Sequence, residues 1–64
     1  MTHLERQARL AWGSQRDSLI RFADGSVLRA RVTFVNELGL RYIVPPFPEV
    51  AAVYDDVESI RLVR

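Results

Sequence analysis

Ser18-Leu19-Ile20-Arg21-Phe22-Ala23-Asp24-Gly25-Ser26-Val27-Leu28-Arg29-Ala30-Arg31-Val32-Thr33-Phe34 alternates apolar and polar residues on either side of one Asp-Gly pair. A period of two sends successive side chains to opposite faces of a strand, so Ile20 and Phe22, then Leu28, Ala30, Val32 and Phe34, are expected to point inward. Asp24-Gly25 between the two runs signals a hairpin. A three-residue connection, Asp24-Gly25-Ser26, with Gly25 in the left-handed position of a type I turn plus bulge, pairs Phe22 with Leu28 and Ile20 with Ala30. A two-residue turn would pair Ile20 with Arg29 and mix the faces, so the bulged register is the expected one.

Working outward toward the start of the chain, Thr2 and Glu5 have the spacing of a capping box, in which each side chain satisfies an orphan backbone N–H. Leu4, Ala8, Ala11 and Trp12 then share one face of a helix over about residues 3–12, and Gly13 is its expected stop. Toward the end of the chain, Asn36-Glu37-Leu38-Gly39 reads as a bend. Leu40, Tyr42 and Val44 alternate with Arg41 and Ile43 in a third strand, and Tyr42, like Trp12, is expected in the core. Pro45-Pro46-Phe47-Pro48 breaks pairing because proline has no N–H to donate. Val50–Tyr54 and Ser59–Val63 read as two further short strands, separated by Asp55-Asp56-Val57-Glu58, where Asp55 is placed to cap a short turn. The expected fold is mainly β: one domain over residues 1–64, a short N-terminal α-helix followed by a five-stranded bent-sheet barrel over 18–64.

The chain has 64 residues, a formal charge of +1, no cysteine and a single histidine. A domain of this size buries only about 60% of the surface its unfolded chain exposes, and below ~70–80 residues one core rarely suffices. No disulfide can form, and His3 has no second histidine or cysteine with which to hold a metal, so assembly with further copies or a partner is the expected supplement. At 48% hydrophobic the chain is too apolar for intrinsic disorder. Its uncharged runs fall far short of the ~20 residues that span a bilayer. Met1 to Arg16 is polar, with no apolar signal-peptide core, so a cytoplasmic location is expected.

All nine basic residues are arginine, the side chain that forks onto phosphate. In the expected register Arg21 lies opposite Arg29, with Arg31 two residues further along the same face. Directly opposed like charges destabilise a strand pair, and an anionic partner would relieve them, which points to phosphate or nucleic-acid contact. Residues 1–31 hold six arginines against three acids and residues 32–64 three against five, so a module that binds an anion at one surface, or stacks head to tail, is compatible with the charge distribution, as is a folded surface on which the charges are well mixed. Asp55, Asp56 and Glu58 form the densest acidic cluster and read as a capping and solubility device, with no metal or other cofactor expected. The serines at 14, 18, 26 and 59 have no neighbouring histidine, there is no glycine-rich phosphate loop, and no cleft separates two carboxylates. An enzyme is not expected. Phe47, among prolines, is an exposed anchor for a protein or a base.

The order of helix, strand, Asp-Gly, strand, bend, strand, loop, strand, tight turn and strand resembles the Sm-like fold, a small barrel related in shape to SH3 domains, and its bacterial Hfq branch most of all. Leu28-Arg29-Ala30-Arg31-Val32 looks like that family's second strand, with Ala30 where glycine is usual. Val35-Asn36-Glu37-Leu38 falls without a gap on its F-D-Q-F segment, and Tyr54-Asp55-Asp56-Val57 on its Y-K-H-A turn. The resemblance implies a homo-oligomeric ring of six or seven copies, joined strand four to strand five, that binds RNA. By position Asn36, Glu37 and Leu38 line a pocket, while Asp55-Asp56 replace the family's Lys-His pair with negative charge and Glu37 adds another acid. The opposite surface keeps Arg21, Arg29 and Arg31, and the helix supplies Arg6, Arg9 and Arg16 where Hfq-type rings have a basic rim. The Rof-type inhibitors of transcription termination factor Rho are also Sm-like and lack the RNA-binding turn. That resemblance implies a regulator that binds a protein partner, with Phe47, Asp55 and Asp56 as the contact residues.

Overall fold

The computed structural model describes residues 2–63. Thr2 opens helix α1 (His3–Ser14), its Oγ1 accepting a hydrogen bond from the Glu5 backbone N–H at 3.1 Å. The Glu5 carboxylate turns instead to Arg9, 2.9 Å away, so only one half of the expected capping box is made. Gly13 does not stop the helix. The chain runs on to Ser14 and ends at Gln15, which is left-handed (φ 55°) and donates its N–H to the Trp12 carbonyl.

Five strands follow: β1 (Asp17–Phe22), β2 (Val27–Val35), β3 (Gly39–Ile43), β4 (Val50–Val53) and β5 (Val57–Leu62), with one 3-10 turn, Tyr54–Asp56, between the last two. They form one antiparallel sheet in the order β4-β3-β2-β1-β5. The architecture is therefore mainly β, a helix followed by a five-stranded bent sheet. The sheet is not closed, and β4 and β5 are its two edges. The fifth strand begins at Val57, two residues before its expected start. The tight turn is Tyr54–Asp56, whose cap position is Val53 with no side-chain bond, so Asp55 lies inside the turn rather than capping it.

The hairpin register differs from the expected one by two residues. Ala23-Asp24-Gly25 makes the connection: Gly25 (φ 92°) donates to the Phe22 carbonyl and Phe22 donates to that of Ser26. Gly25 thus has its expected left-handed role, but Ile20 faces Leu28 and Ser18 faces Ala30. A shift of two preserves the faces, which is why apolar matching alone did not choose between the registers. Asp24 decides the turn, because its carboxylate accepts from both the N–H (2.9 Å) and the Oγ–H (2.7 Å) of Ser26.

A second irregularity moves an aromatic ring. Val32 faces Tyr42, but Phe34 faces Arg41, so Thr33 is an extra residue in β2 and the alternation reverses after it. Val35 enters the core in place of Phe34, which is left 39% exposed with Arg41 over its ring at 5.3 Å and Trp12 at 5.6 Å. Trp12 is likewise 37% exposed and not a core residue, because its contact is this outward ring. The core comprises Ala8 and Ala11 of the helix with Ile20, Ala30, Val32, Val35, Leu40, Tyr42, Val57 and Ile60. Small alanines let α1 lie close on β2 and β5. Leu4, Phe22 and Val44 close the margins, whereas Leu28, at the hairpin end, is 37% exposed.

Candidate nucleic-acid interface

The pairing of β5, β1 and β2 decides which arginines meet. Arg61, Leu19 and Arg29 lie side by side across the three strands, and Ser59, Arg21 and Val27 form the next row. Odd-numbered residues of β1 face away from Ile20, so this is the outer face of the sheet. Arg21 is therefore opposite Val27 and not Arg29, and the like-charge conflict inferred from the sequence is absent. Asp17, opposite Arg31, holds Arg29 at 3.0 Å and Arg31 at 3.7 Å. These exposed pairs contribute little to stability, but they orient two guanidiniums side by side.

Arg16, at the end of the helix, joins Arg29 and Arg31 around a shallow hollow that Gln15, Asp17 and Val63 complete. Arg21 and Arg61 share an adjoining hollow with Leu19, Val27, Glu58 and Ser59, and neither forms an ion pair among the described residues. Arg61 was missed in the sequence reading. The signal for it is its place beside Ile60, since a buried residue on a strand turns its neighbour outward, but the face follows only once β5 is paired with β1.

The remaining candidate residues lie elsewhere. Arg9 is tied to Glu5 on the helix, and Arg6 is exposed on the same helix without an ion pair among the described residues. Asn36 shapes a turn: its Oδ1 accepts from the N–H groups of Leu38 and Gly39 at 2.9 Å each, and its carbonyl accepts from the Tyr54 hydroxyl at 2.7 Å. It does line a hollow with Glu37 and Leu38, as position implied, but Glu5 and Arg9 form the other wall, and Arg16, Arg21, Arg29, Arg31 and Arg61 line other hollows. Burial, reinforced by the Glu5 carboxylate, raises the Tyr54 hydroxyl above its ordinary value of 10.0. The hydrogen bonds from Ser26 lower the Asp24 carboxylate from its ordinary 3.8.

Phe47 is 64% exposed in the loop before β4, whereas Asp55 and Asp56 follow the far end of that strand. The three residues expected to contact a partner thus flank β4, one before it and two after it. Beside β4 a separate hollow of about 220 Å³ is lined by Phe34, Leu38, Arg41, Ala51 and Val53. Leu38 is 71% exposed and Val53 half exposed there.

No family model matches this chain, and no curated protein or solved structure matches it either. Among the described residues, no helix is long and apolar enough to cross a membrane. Among the described residues, no three His, Cys, Asp or Glu side chains are grouped to hold a metal ion.

Proposed function

We propose that this chain is a non-catalytic, Sm-like (Hfq-like) module that assembles with copies of itself and binds RNA or another nucleic acid in the cytoplasm. The observation that carries the reading is the outer face of β5, β1 and β2, where Arg21, Arg29, Arg31 and Arg61 stand around exposed Leu19 with Arg16 at its border. Arginine forks suit phosphate oxygens, and apolar side chains between them suit the faces of unpaired bases. Assembly is supported by the two open edges, since an unpaired strand offers a row of backbone donors and acceptors to another chain. Pairing of β4 with β5 of a neighbour makes a ring of six or seven copies and provides the stabilisation that a 64-residue chain needs.

A short single-stranded RNA pool, followed by fluorescence anisotropy at low and high salt, tests the reading. Each neutralised phosphate contributes a slope of about −0.7 in log affinity against log salt, so Arg21→Glu with Arg61→Glu should shrink the slope by about 1.4 and weaken binding. Affinity that ignores both salt and this double change overturns the nucleic-acid reading. The exposed Phe47 and the ion pairs that Arg29 and Arg31 share with Asp17 support a second reading, a regulator that binds a protein partner. That reading requires partner capture to be lost on Phe47→Ala with RNA affinity absent.

A further inference from the structure

Beyond its strand residues, β1 is flanked by charge of opposite sign, with Arg21 near its finish turned onto the outer face. At its start, Arg16, Arg29 and Arg31 converge on one hollow against the single carboxylate of Asp17. At its finish is the hairpin turn, and the Ala23 N–H donates to the Asp56 carbonyl at 2.9 Å, which fixes the 3-10 turn against it. Asp24, Asp55 and Asp56 are thereby gathered at that end, all exposed and none in an ion pair among the described residues. Six strand residues, roughly 20 Å, separate the two poles. This exceeds the ~8 Å screening length of physiological salt, so the poles do not neutralise each other within one copy.

We infer that the arginine hollow at the start of β1 docks the Asp55-Asp56 turn of a second copy, so that copies stack head to tail. The occupant is chosen by charge complementarity: three guanidiniums set against one carboxylate leave two positive charges in excess, which suits three carboxylates that form no ion pair among the described residues. A second copy supplies those carboxylates at the same concentration as the arginines. The hollow and the turn are different surfaces, so the contact is heterologous, and a heterologous contact that does not close on itself extends linearly. The contact is independent of the strand-edge pairing proposed above, which rests on backbone hydrogen bonds and on apolar side chains.

Light scattering across concentration and salt, without nucleic acid, separates the two. Edge pairing sets a unit mass that persists in high salt, whereas stacking adds mass at low salt that keeps rising with concentration and is lost as salt screens it. Two neutralised proteins sharpen the test: Asp55→Asn with Asp56→Asn removes the turn's charge, and Arg29→Gln with Arg31→Gln removes most of the hollow's. All four positions are exposed, so each protein should fold, with an unaltered circular dichroism spectrum. Each alone should stay at the unit mass, and the two mixed should reach twice that mass and stop, because each lacks the other pole. A wild-type mass that does not grow at low salt overturns the inference, whatever the unit mass proves to be. Growth that persists in either neutralised protein alone also overturns it and assigns association to the exposed apolar side chains.

Discussion

The outer face of β5, β1 and β2 and the margin of β3 and β4 both leave large apolar side chains in water, yet they do so in different company. Leu19 and Val27 are interleaved with Arg21, Arg29 and Arg61. Ala51 and Val53 lie on an unpaired edge beside Phe34 and Leu38, with Arg41 as the sole cation, itself held by Glu49 at 3.6 Å. Natural proteins commonly protect an open edge with charge or proline. Here the prolines lie in the loop before β4 and its four residues carry no charge at all. The charged face is suited to a hydrated, salt-sensitive ligand, and the uncharged edge to another strand.

The largest expected effect comes from Gly39, which lies where β3 meets β4. A Cβ there overlaps the Ala52 carbonyl oxygen and comes within 2.9 Å of Val53 Cα, both of them backbone. Gly39→Ala should therefore push the two strands apart and cost about 1–3 kcal/mol, the range for overpacking, as read by urea unfolding. An unchanged midpoint would show that the edge yields freely. Next in size, Val53→Lys places a charge on the uncharged edge and should reduce the solution mass in high salt to that of one copy while leaving the arginine face intact. A mass that survives this change removes β4 from the assembly.

The charged face gives a smaller effect of opposite sign. Asp17→Asn frees Arg29 and Arg31 for phosphate and should tighten RNA binding a few-fold, whereas its cost to folding, for exposed pairs, should stay below about 1 kcal/mol. Weaker binding would mean that Asp17 orients the arginines more than it occupies them. The smallest effect is in the response to alkali. Burial raises the Tyr54 hydroxyl in the folded chain, so the unfolded chain loses this proton first, and stability should fall as pH rises from about 10 toward the folded value. Tyr54→Phe should flatten that decline, at a cost near 1 kcal/mol for the bond to the Asn36 carbonyl. A decline of the same steepness in the variant assigns it to other groups.

Much of the fold was legible because local chemistry and global pattern agree. Thr2 starts the helix, Ala8 and Ala11 define its buried face, and the alternation around Ile20 and Tyr42 gives β1 and β3 their inward sides. The register of the hairpin was not legible from polarity, because a slip of two residues keeps every face and changes only the neighbours. That slip turned Arg21 against Arg29 into Arg21 against Val27 and hid the role of Asp17. The Thr33 bulge was equally silent, since Val32-Thr33-Phe34-Val35 reads as a regular strand with either aromatic orientation. Arg61 was lost for a third reason: its neighbours belong to β1, and a partner so remote in sequence leaves no trace in local spacing.

That remoteness has a consequence for how the chain comes together. β1, the first strand in the chain, has β5, the last, as one of its two flanking strands, and Ile20 meets Ile60 directly across that pair. Closing so long a loop costs entropy before any contact rewards it, whereas the hairpin of β1 and β2 needs only three connecting residues. On a ribosome the first four strands must therefore wait with one flank of β1 unpaired until β5 emerges. For that interval the free flank of β1 is an open template for whatever chain lies nearest, including a sibling on the same message.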